Sequence, residues 1–202
     1  MRKGDLTRQA ILDRATGLAS KVGLEGLTIG ALATELQLSK SGLFAHFHSK
    51  EALQLQVLDH GAAVFVESVI RPALAEPRGE PRMRALFERW LAWTQSSPLP
   101  GGCLFVQAAV ELDDRPGPVR DRLVQFQRQW LGVIVTSMEL GIDAGAFHNV
   151  ADPEQFAHDV YGVMLAYHHA SRLLSDPRAE ARARRAFDAL LKAALAPAET
   201  HR

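Results

Sequence analysis

The stretch LTIGALATELQLSKSGLFAHFHSKEAL, residues 27–53, contains the pattern that decides the fold of this chain. The apolar residues of its first part fall on one face of a helix, which predicts a helix over residues 29–36. A polar turn follows, and the next residues predict a second short helix over 40–47. The stretch therefore predicts two short helices joined by a tight turn, with a further helix beginning at Ser49.

The second short helix is expected to expose an unusual set of side chains. Leu43 and Phe47 are predicted to point into the core. The residues left facing outward are Lys40, Ser41, Gly42, Phe44 and His46. A short helix that presents such groups, while another helix packs across it, can enter the major groove of DNA. The pattern therefore predicts a helix-turn-helix that contacts DNA.

This segment resembles the DNA-binding domain of the TetR family of bacterial transcription regulators. The similarity runs through TRQAILDRA (7–15), GLEGLTI (23–29), LSKSGLFAHF (38–47) and SKEAL (49–53), which together span about the first quarter of the chain. The resemblance implies an all-α protein. An N-terminal three-helix domain with a helix-turn-helix would be followed by a larger helical domain for ligand binding and dimerisation.

The resemblance also implies which residues contact DNA. They lie at helix starts or on the outer face of the second short helix: Thr28, Ser39, Lys40, Ser41, Gly42, Phe44, His46 and Lys50. Phe44 departs from the family, which usually has Tyr at this position. Because Phe has no hydroxyl to donate to a phosphate, we expect only an apolar contact from it, for instance to a thymine methyl.

Composition restricts the class of protein without choosing one. The chain has 202 residues, 47% of them hydrophobic, enough for a substantial core and one or two domains. Its formal net charge is zero, which argues against a protein that coats nucleic acid and permits a small basic footprint. Arg2, Lys3 and Arg8 are expected to add to that footprint.

No targeting or membrane segment is expected. The N-terminal charges are not followed by an apolar run, and no stretch approaches the roughly 18 apolar residues of a membrane span. The single cysteine, Cys103, excludes an intrachain disulfide and fits a reducing compartment, so we expect a cytoplasmic protein. A predicted helix start at Cys103 could lower the pKa of its thiol, as a thiol sensor would need; the alternative is a small buried residue.

Helical periodicity continues along the rest of the chain. The first helix is expected over 7–22, with Gly23 as its C-cap. The helix from Ser49 is expected to run to about Ile70 and to be ended by Pro72 and the segment 75–81. Further helices are predicted over 82–96, 102–112, 117–141, 153–174 and 178–195.

The segment 75–81 is rich in Pro, Gly and charge, and is therefore the expected domain boundary. The predicted domains are residues 1–48 for DNA binding, 49–74 as a connecting helix, and 75–202 for ligand binding and dimerisation.

Aromatic residues at helical spacing are frequent in the second predicted domain. Such stripes are often ordinary core, but the resemblance implies a pocket for an apolar small-molecule effector. The residues expected to line it are Trp90, Trp93, Glu111, Phe126, Trp130, Met164 and His168. Glu111 and either His168 or His169 are the polar residues expected to orient the ligand.

The last two predicted helices carry apolar stripes that are expected to pair with a second copy of the chain as a four-helix bundle. The interface residues predicted are Phe156, Val160, Val163, Tyr167, Phe187, Leu190, Leu191 and Ala194. The alternative is that these stripes pack only inside one subunit.

No catalytic, metal or cofactor site is expected. His168 and His169 are adjacent and point about 100° apart on a helix, unlike the i, i+4 pair of a zinc-binding helix. No G-x-S-x-G sequence or glycine-rich phosphate loop occurs.

The expected function is a sequence-specific transcription regulator, a repressor released from a pseudo-palindromic operator by its effector. The alternatives are an activator of the same fold, or a helical small-molecule-binding module or enzyme without DNA binding. The sequence does not identify the effector, the operator or the target genes.

Overall fold

The computed structural model describes residues 8–96 and 98–195, and all regular elements in these ranges are helical. The helices are α1 (Arg8–Gly26), α2 (Ile29–Leu36), α3 (Lys40–Phe47), α4 (Lys50–Phe65), α5 (Arg71–Leu74), α6 (Glu80–Thr94), α7 (Leu104–Leu112), α8 (Pro118–Asp143), α9 (Pro153–Arg172) and α10 (Ala179–Leu195). The all-α prediction is confirmed. Arg2, Lys3 and the predicted helix start at residue 7 lie outside the described residues.

The helical path after the helix-turn-helix is longer than predicted. α4 continues through a π-helical turn, Val66–Ile70, into α5, so this path ends at Leu74. Pro72 lies in the first turn of α5, where a missing N–H costs no helical hydrogen bond. The helical path therefore passes the predicted end near Ile70, because the wider turn places Pro72 at a helix start, and it stops before the segment 75–81, which the sequence also predicts as its end.

The chain forms two compact units. Unit 1 contains the chain up to Val66 together with Trp93–Gln127, and unit 2 contains Glu67–Ala92 together with the chain from Arg128 onward. α6 and α8 each contribute residues to both units. The functional boundaries at residues 48 and 74 stay a prediction.

Unit 1 packs α7 closely against α1. A Cβ at Gly17 would lie 2.8 Å from the carbonyl oxygen of Pro98, and one at Gly101 would lie 1.5 Å from that of Ser20. The N–H of Gly101 also donates to the Ser20 hydroxyl at 3.0 Å. The glycine in the middle of α1 is therefore required by the loop that crosses it, although glycine costs an exposed helix about 1 kcal/mol relative to alanine.

Unit 2 is held by aromatic pairs and ion pairs. The rings of Phe87 and Phe187 stack with their centroids 4.1 Å apart, and Trp90 meets Tyr167 edge to face at 5.9 Å. Arg84 of α6 pairs with Asp188 of α10 at 2.7 Å. α9 and α10 pack against each other in the same unit. These contacts place one face of α10 in the core.

Candidate nucleic-acid interface

The start of α2 and the start of α3 are fixed by side-chain caps. The N–H of Ala31 donates to the Thr28 hydroxyl at 3.0 Å, and the N–H of Gly42 donates to the Ser39 hydroxyl at 3.1 Å. Ser41 donates to the same Ser39 oxygen at 3.3 Å. An N-cap contributes about 1 kcal/mol to helix stability, so these hydroxyls already have structural roles. Their oxygens retain lone pairs, and all three side chains are exposed.

The turn between α2 and α3 depends on one left-handed residue. Gln37 has φ 54° and ψ 35°, and its N–H donates to the carbonyl oxygen of Thr34 at 3.2 Å. The N–H of Leu38 then donates to the carbonyl oxygen of Ala33 at 3.0 Å. These two bonds close the end of α2 in the way that left-handed helix caps do, usually with glycine. The chain can therefore change direction within the three residues between α2 and α3.

The outward face of α3 is the one that the sequence predicts. Leu43 and Phe47 are fully buried, whereas Phe44 is 54% exposed. The other predicted contact residues of the helix are also exposed: Lys40, Ser41, Gly42 and His46. Among the described residues Lys40 forms no ion pair, so its ammonium is available to an anion. α3 thus presents hydroxyls, a cation, an imidazole and an apolar ring on one short surface.

Lys50, at the start of α4, differs from the other predicted contacts because it already has a partner. Its ammonium donates to the backbone oxygen of Glu25 at 2.8 Å and to the Glu25 carboxylate at 3.2 Å. The hydrogen bond from Lys50 is the main cause that holds the pKa of Glu25 below its ordinary value. A phosphate contact by Lys50 would therefore have to replace this ion pair, which the sequence alone did not indicate.

Glu111 has a different position from the predicted one. Its carboxylate accepts the N–H of Leu24 at 2.7 Å and that of Glu25 at 3.2 Å, at the end of α1. Gly23 has φ 75°, and a Cβ there would lie 1.4 Å from a Glu111 oxygen. Because the Glu111 carboxylate accepts both of these N–H groups, Glu111 joins α7 to the end of α1. Its predicted role in orienting a ligand is not supported. The contact spans almost ninety residues, so no local pattern could have shown it.

The remaining predicted ligand residues are divided between the two units. Trp93 and Phe126 belong to unit 1 and contact neighbouring aromatic rings there, those of Phe65 and Phe105 respectively. The others belong to unit 2. Trp90, Trp130 and Met164 are buried there, and His168 is half-buried.

His168 is a predicted ligand residue with an unsatisfied buried atom. Its Nε2 is buried and has no hydrogen-bond partner among the described residues. Burial is the main cause that lowers the pKa of His168, and the nearby Arg172 and His169 lower it further. The imidazole is therefore held neutral near neutral pH, with one nitrogen free to donate or accept a hydrogen bond.

Cys103 does not have the environment of a reactive thiol. It precedes α7 and is buried, and burial raises the pKa of its thiol. A thiol sensor needs an accessible thiolate, and therefore a lowered pKa. The small buried residue is the alternative that the structure favours.

Most residues predicted at a dimer interface are already buried inside a single chain. Phe187 is 1% exposed and stacks on Phe87, so it has no surface left for a second copy. The same correction applies to the other buried members of the set: Phe156, Val160, Tyr167, Leu191 and Ala194. Only Val163 and Leu190 are half-buried. Periodicity identified an apolar stripe but could not show which neighbour covers it.

The described residues hold neither a candidate metal site nor a candidate membrane span. No group of three or more His, Cys, Asp or Glu side chains there could hold a metal ion. Within the same residues, no helix combines the length and the apolar character that a membrane crossing requires.

Two family models match the chain. Residues 11–57 match the model of bacterial regulatory proteins of the tetR family, and residues 79–187 match the model of the tetracyclin repressor-like C-terminal domain. These two models match most of the chain, so it belongs to the TetR family of transcription regulators. The family prediction is confirmed. Among curated proteins, none matched the chain.

Solved structures show the same fold. A TetR transcriptional regulator from Chloroflexus aurantiacus is 26% identical, with a TM-score of 0.80 over 95% of this chain and 96% of that one. NemR from E. coli, in its reduced form, is 20% identical, with a TM-score of 0.78 over 94% and 98%. AibR, in complex with isovaleryl coenzyme A and operator DNA, is 19% identical, with a TM-score of 0.67 over 94% and 98%.

Proposed function

We propose that this TetR-family regulator is a dimeric repressor, which binds a pseudo-palindromic operator through α3 and is released by an apolar small molecule. The observation that carries the proposal is the surface of α3. Its exposed residues combine hydroxyls with Lys40, which forms no ion pair in the described part of the chain, and the start of the helix is fixed by the Ser39 cap. Such a surface suits phosphate and base edges in a major groove.

Specific roles follow from the chemistry of each side chain. Lys40 would contact a phosphate or the O6 and N7 atoms of guanine. Thr28, Ser39 and Ser41 would use their remaining hydrogen-bonding capacity on phosphates. Phe44 would make an apolar contact, and Gly42 would let the backbone approach the groove. His46 and, after leaving Glu25, Lys50 would add contacts to the phosphate backbone.

The homodimer that we propose uses the exposed faces of α9 and α10. On α9 these residues recur at helical spacing on one face: His158, Gly162, Leu165, Ala166, His169 and Leu173. Leu173 is 72% exposed, which is unusual for a leucine. On α10 the exposed face includes Ala186, Ala189 and Ala193. Small side chains allow helices to approach closely, so two copies can pair these faces about a twofold axis.

A dimer of this kind explains how a small recognition helix gains specificity. Two copies of α3 would meet two half-sites about one DNA turn apart, which makes the operator a pseudo-palindrome. An effector that binds better to another spacing of the two copies would lower operator affinity. Coupling of this kind is typically about 1–3 kcal/mol.

The effector that we propose is apolar with one polar group. Unit 2 supplies buried Trp90, Trp130 and Met164, and His168 supplies a ring nitrogen that has no hydrogen-bond partner in residues 8–96 and 98–195. The structure of AibR contains isovaleryl coenzyme A, which supports a small-molecule effector; only the isovaleryl group of that ligand is apolar. A neutral imidazole would suit a carbonyl or hydroxyl group better than a strong anion.

The decisive experiment selects bound sequences from random duplex DNA with the full chain. We expect enrichment of a short inverted repeat. Small molecules are then screened for release of that duplex, together with quenching of tryptophan fluorescence and a raised melting temperature. Failure to enrich any sequence would overturn the proposed DNA function. Ligands that stabilise the protein but never release the duplex would overturn the proposed induction.

A further inference from the structure

Glu25, at the end of α1, has one carboxylate between two cations that come from distant parts of the chain. Its Oε2 atom lies 3.2 Å from the ammonium of Lys50 and 3.0 Å from the guanidinium of Arg115. Lys50 belongs to the proposed DNA-binding surface. Arg115 follows α7, within the residues matched by the C-terminal domain model. A single anion therefore connects a proposed phosphate-binding lysine with the α7 segment of unit 1.

The backbone around Glu25 is held by contacts from two other helices, which keeps its carboxylate within reach of both cations. Glu111 accepts the N–H groups of Leu24 and Glu25. From the other side, the side-chain amide of Gln54 donates to the Leu24 carbonyl oxygen at 2.6 Å. Three helices, α1, α4 and α7, thus meet at this point. Tertiary contacts therefore fix the backbone from which the Glu25 side chain reaches both cations.

The ion pair of Lys50 is close enough to solvent to be exchanged. The side chains of Lys50 and Glu25 are 41% and 40% exposed, and that of Arg115 is 60% exposed. Ion pairs at this level of exposure are weak. A DNA phosphate can therefore take the ammonium from Glu25 by a rotation of the lysine side chain. Glu25 would then keep Arg115 as its remaining partner.

We infer that Glu25 is a positioning residue for DNA binding: it competes with phosphate for Lys50, and Arg115 reduces this competition by pairing with the carboxylate that Lys50 leaves. The inference rests on the proposed function, because it needs Lys50 to contact DNA. Its regulatory consequence concerns α7. A movement of the segment after α7 that took Arg115 away from Glu25 would leave Lys50 as the only cation paired with this carboxylate, and would so weaken binding to any phosphate backbone.

The test is a double-mutant cycle on the full-length dimer, with the selected operator and a scrambled duplex as probes. Glu25→Gln preserves the size of the side chain and removes its charge. We expect it to raise affinity about threefold to fivefold for both duplexes, because a phosphate contact is independent of base sequence. Arg115→Gln should lower affinity about twofold to threefold for both duplexes, because Glu25 would then hold Lys50 alone.

Coupling separates this role from a structural one. In the Lys50→Gln background, where the salt slope of binding should already fall by about 1, Glu25→Gln should bring no gain. In the Glu25→Gln background, Arg115→Gln should bring no loss. Melting temperatures of all variants show whether folding has changed. A merely structural Glu25 would lower affinity when replaced, whether or not Lys50 is present.

Two outcomes overturn the inference and are distinguishable from failure of the proposed function. If Lys40→Ala weakens operator binding but Glu25→Gln gives no gain, only the inference fails. If Lys50→Gln binds both duplexes with wild-type affinity and salt slope, the inference fails because Lys50 does not contact DNA. If Lys40→Ala and Lys50→Gln are both without effect, the proposed DNA surface itself fails.

Discussion

Two regions of this molecule have sequence patterns of similar clarity but different structural outcomes. In α3, every residue predicted to face outward is exposed. In α9 and α10, six of the eight residues predicted at a dimer interface are buried within one chain: Phe156, Val160, Tyr167, Phe187, Leu191 and Ala194. The difference lies in what each pattern predicts. Polar side chains on a short helix predict which face is exposed, whereas an apolar stripe predicts that a face is covered but not whether the same chain or a second copy covers it.

The largest expected effect tests whether the α10 stripe is core. Phe187→Ala should lower the free energy of unfolding by about 3–5 kcal/mol, because the ring is buried and stacks on Phe87. Urea denaturation followed by circular dichroism measures the change. Ala181→Ser, at an exposed position of the same helix outside the proposed dimer face, is the matched control and should change stability by less than about 0.5 kcal/mol. If the Phe187→Ala variant were as stable as the control, Phe187 would not be a core residue.

The next effect tests where the dimer forms. Leu165→Glu combined with Leu173→Glu places charges on the exposed face of α9. We expect folded monomers in sedimentation experiments, and a loss of operator affinity of at least about tenfold, because a monomer meets only one half-site. The control pair is Val110→Glu and Val22→Glu, which also charges exposed apolar residues but lies in unit 1. A dimer that survives the α9 substitutions would locate the interface elsewhere.

A smaller effect tests the surface of α3. Lys40→Ala should weaken operator binding by about 1–3 kcal/mol if it contacts a base, or reduce the salt slope by about 1 if it contacts a phosphate. Lys21→Ala, which removes an exposed lysine of α1, is the control and should leave binding unchanged. Fluorescence anisotropy at several salt concentrations separates the two cases. Equal affinities of both variants would contradict the assignment of α3 as the recognition helix.

The smallest effect concerns the departure of Phe44 from the family pattern. Phe44 is more than half exposed, so Phe44→Tyr adds a hydroxyl without disturbing the core. We expect binding to improve by about 0.5–1.5 kcal/mol, the net contribution of one hydrogen bond, equally for the operator and for a scrambled duplex. A gain confined to the operator would show instead that this side chain reads a base.

Much of the fold was predictable because the signals are local. Caps at Thr28, Ser39 and Ser49 act within three residues, and the structure has all three. The helices after residue 81 are separated by Pro- and Gly-containing segments, so their ends were also predictable to within a few residues. The continuation of α4 past Pro72 was missed, because a proline is equally compatible with a helix end and a helix start.

The site was predictable only in part. The exposed face of α3 followed from the two buried residues Leu43 and Phe47, whose spacing leaves one possible outer face. The engagement of Lys50 with Glu25, and of Glu111 with the end of α1, could not be predicted. Both depend on partners that are 25 or more residues away along the chain.

The sequence by itself determined the family, the helical elements and the outward face of α3. These depend on hydrogen bonds and side-chain spacing within a few residues, which any copy of the same segment would repeat. Only the tertiary structure decided which apolar stripes are covered within one chain, and which charges and buried polar atoms still lack a partner. Burial and pairing are properties of neighbours in space, and neighbours such as Glu25, Lys50 and Arg115 meet only after the helices have packed.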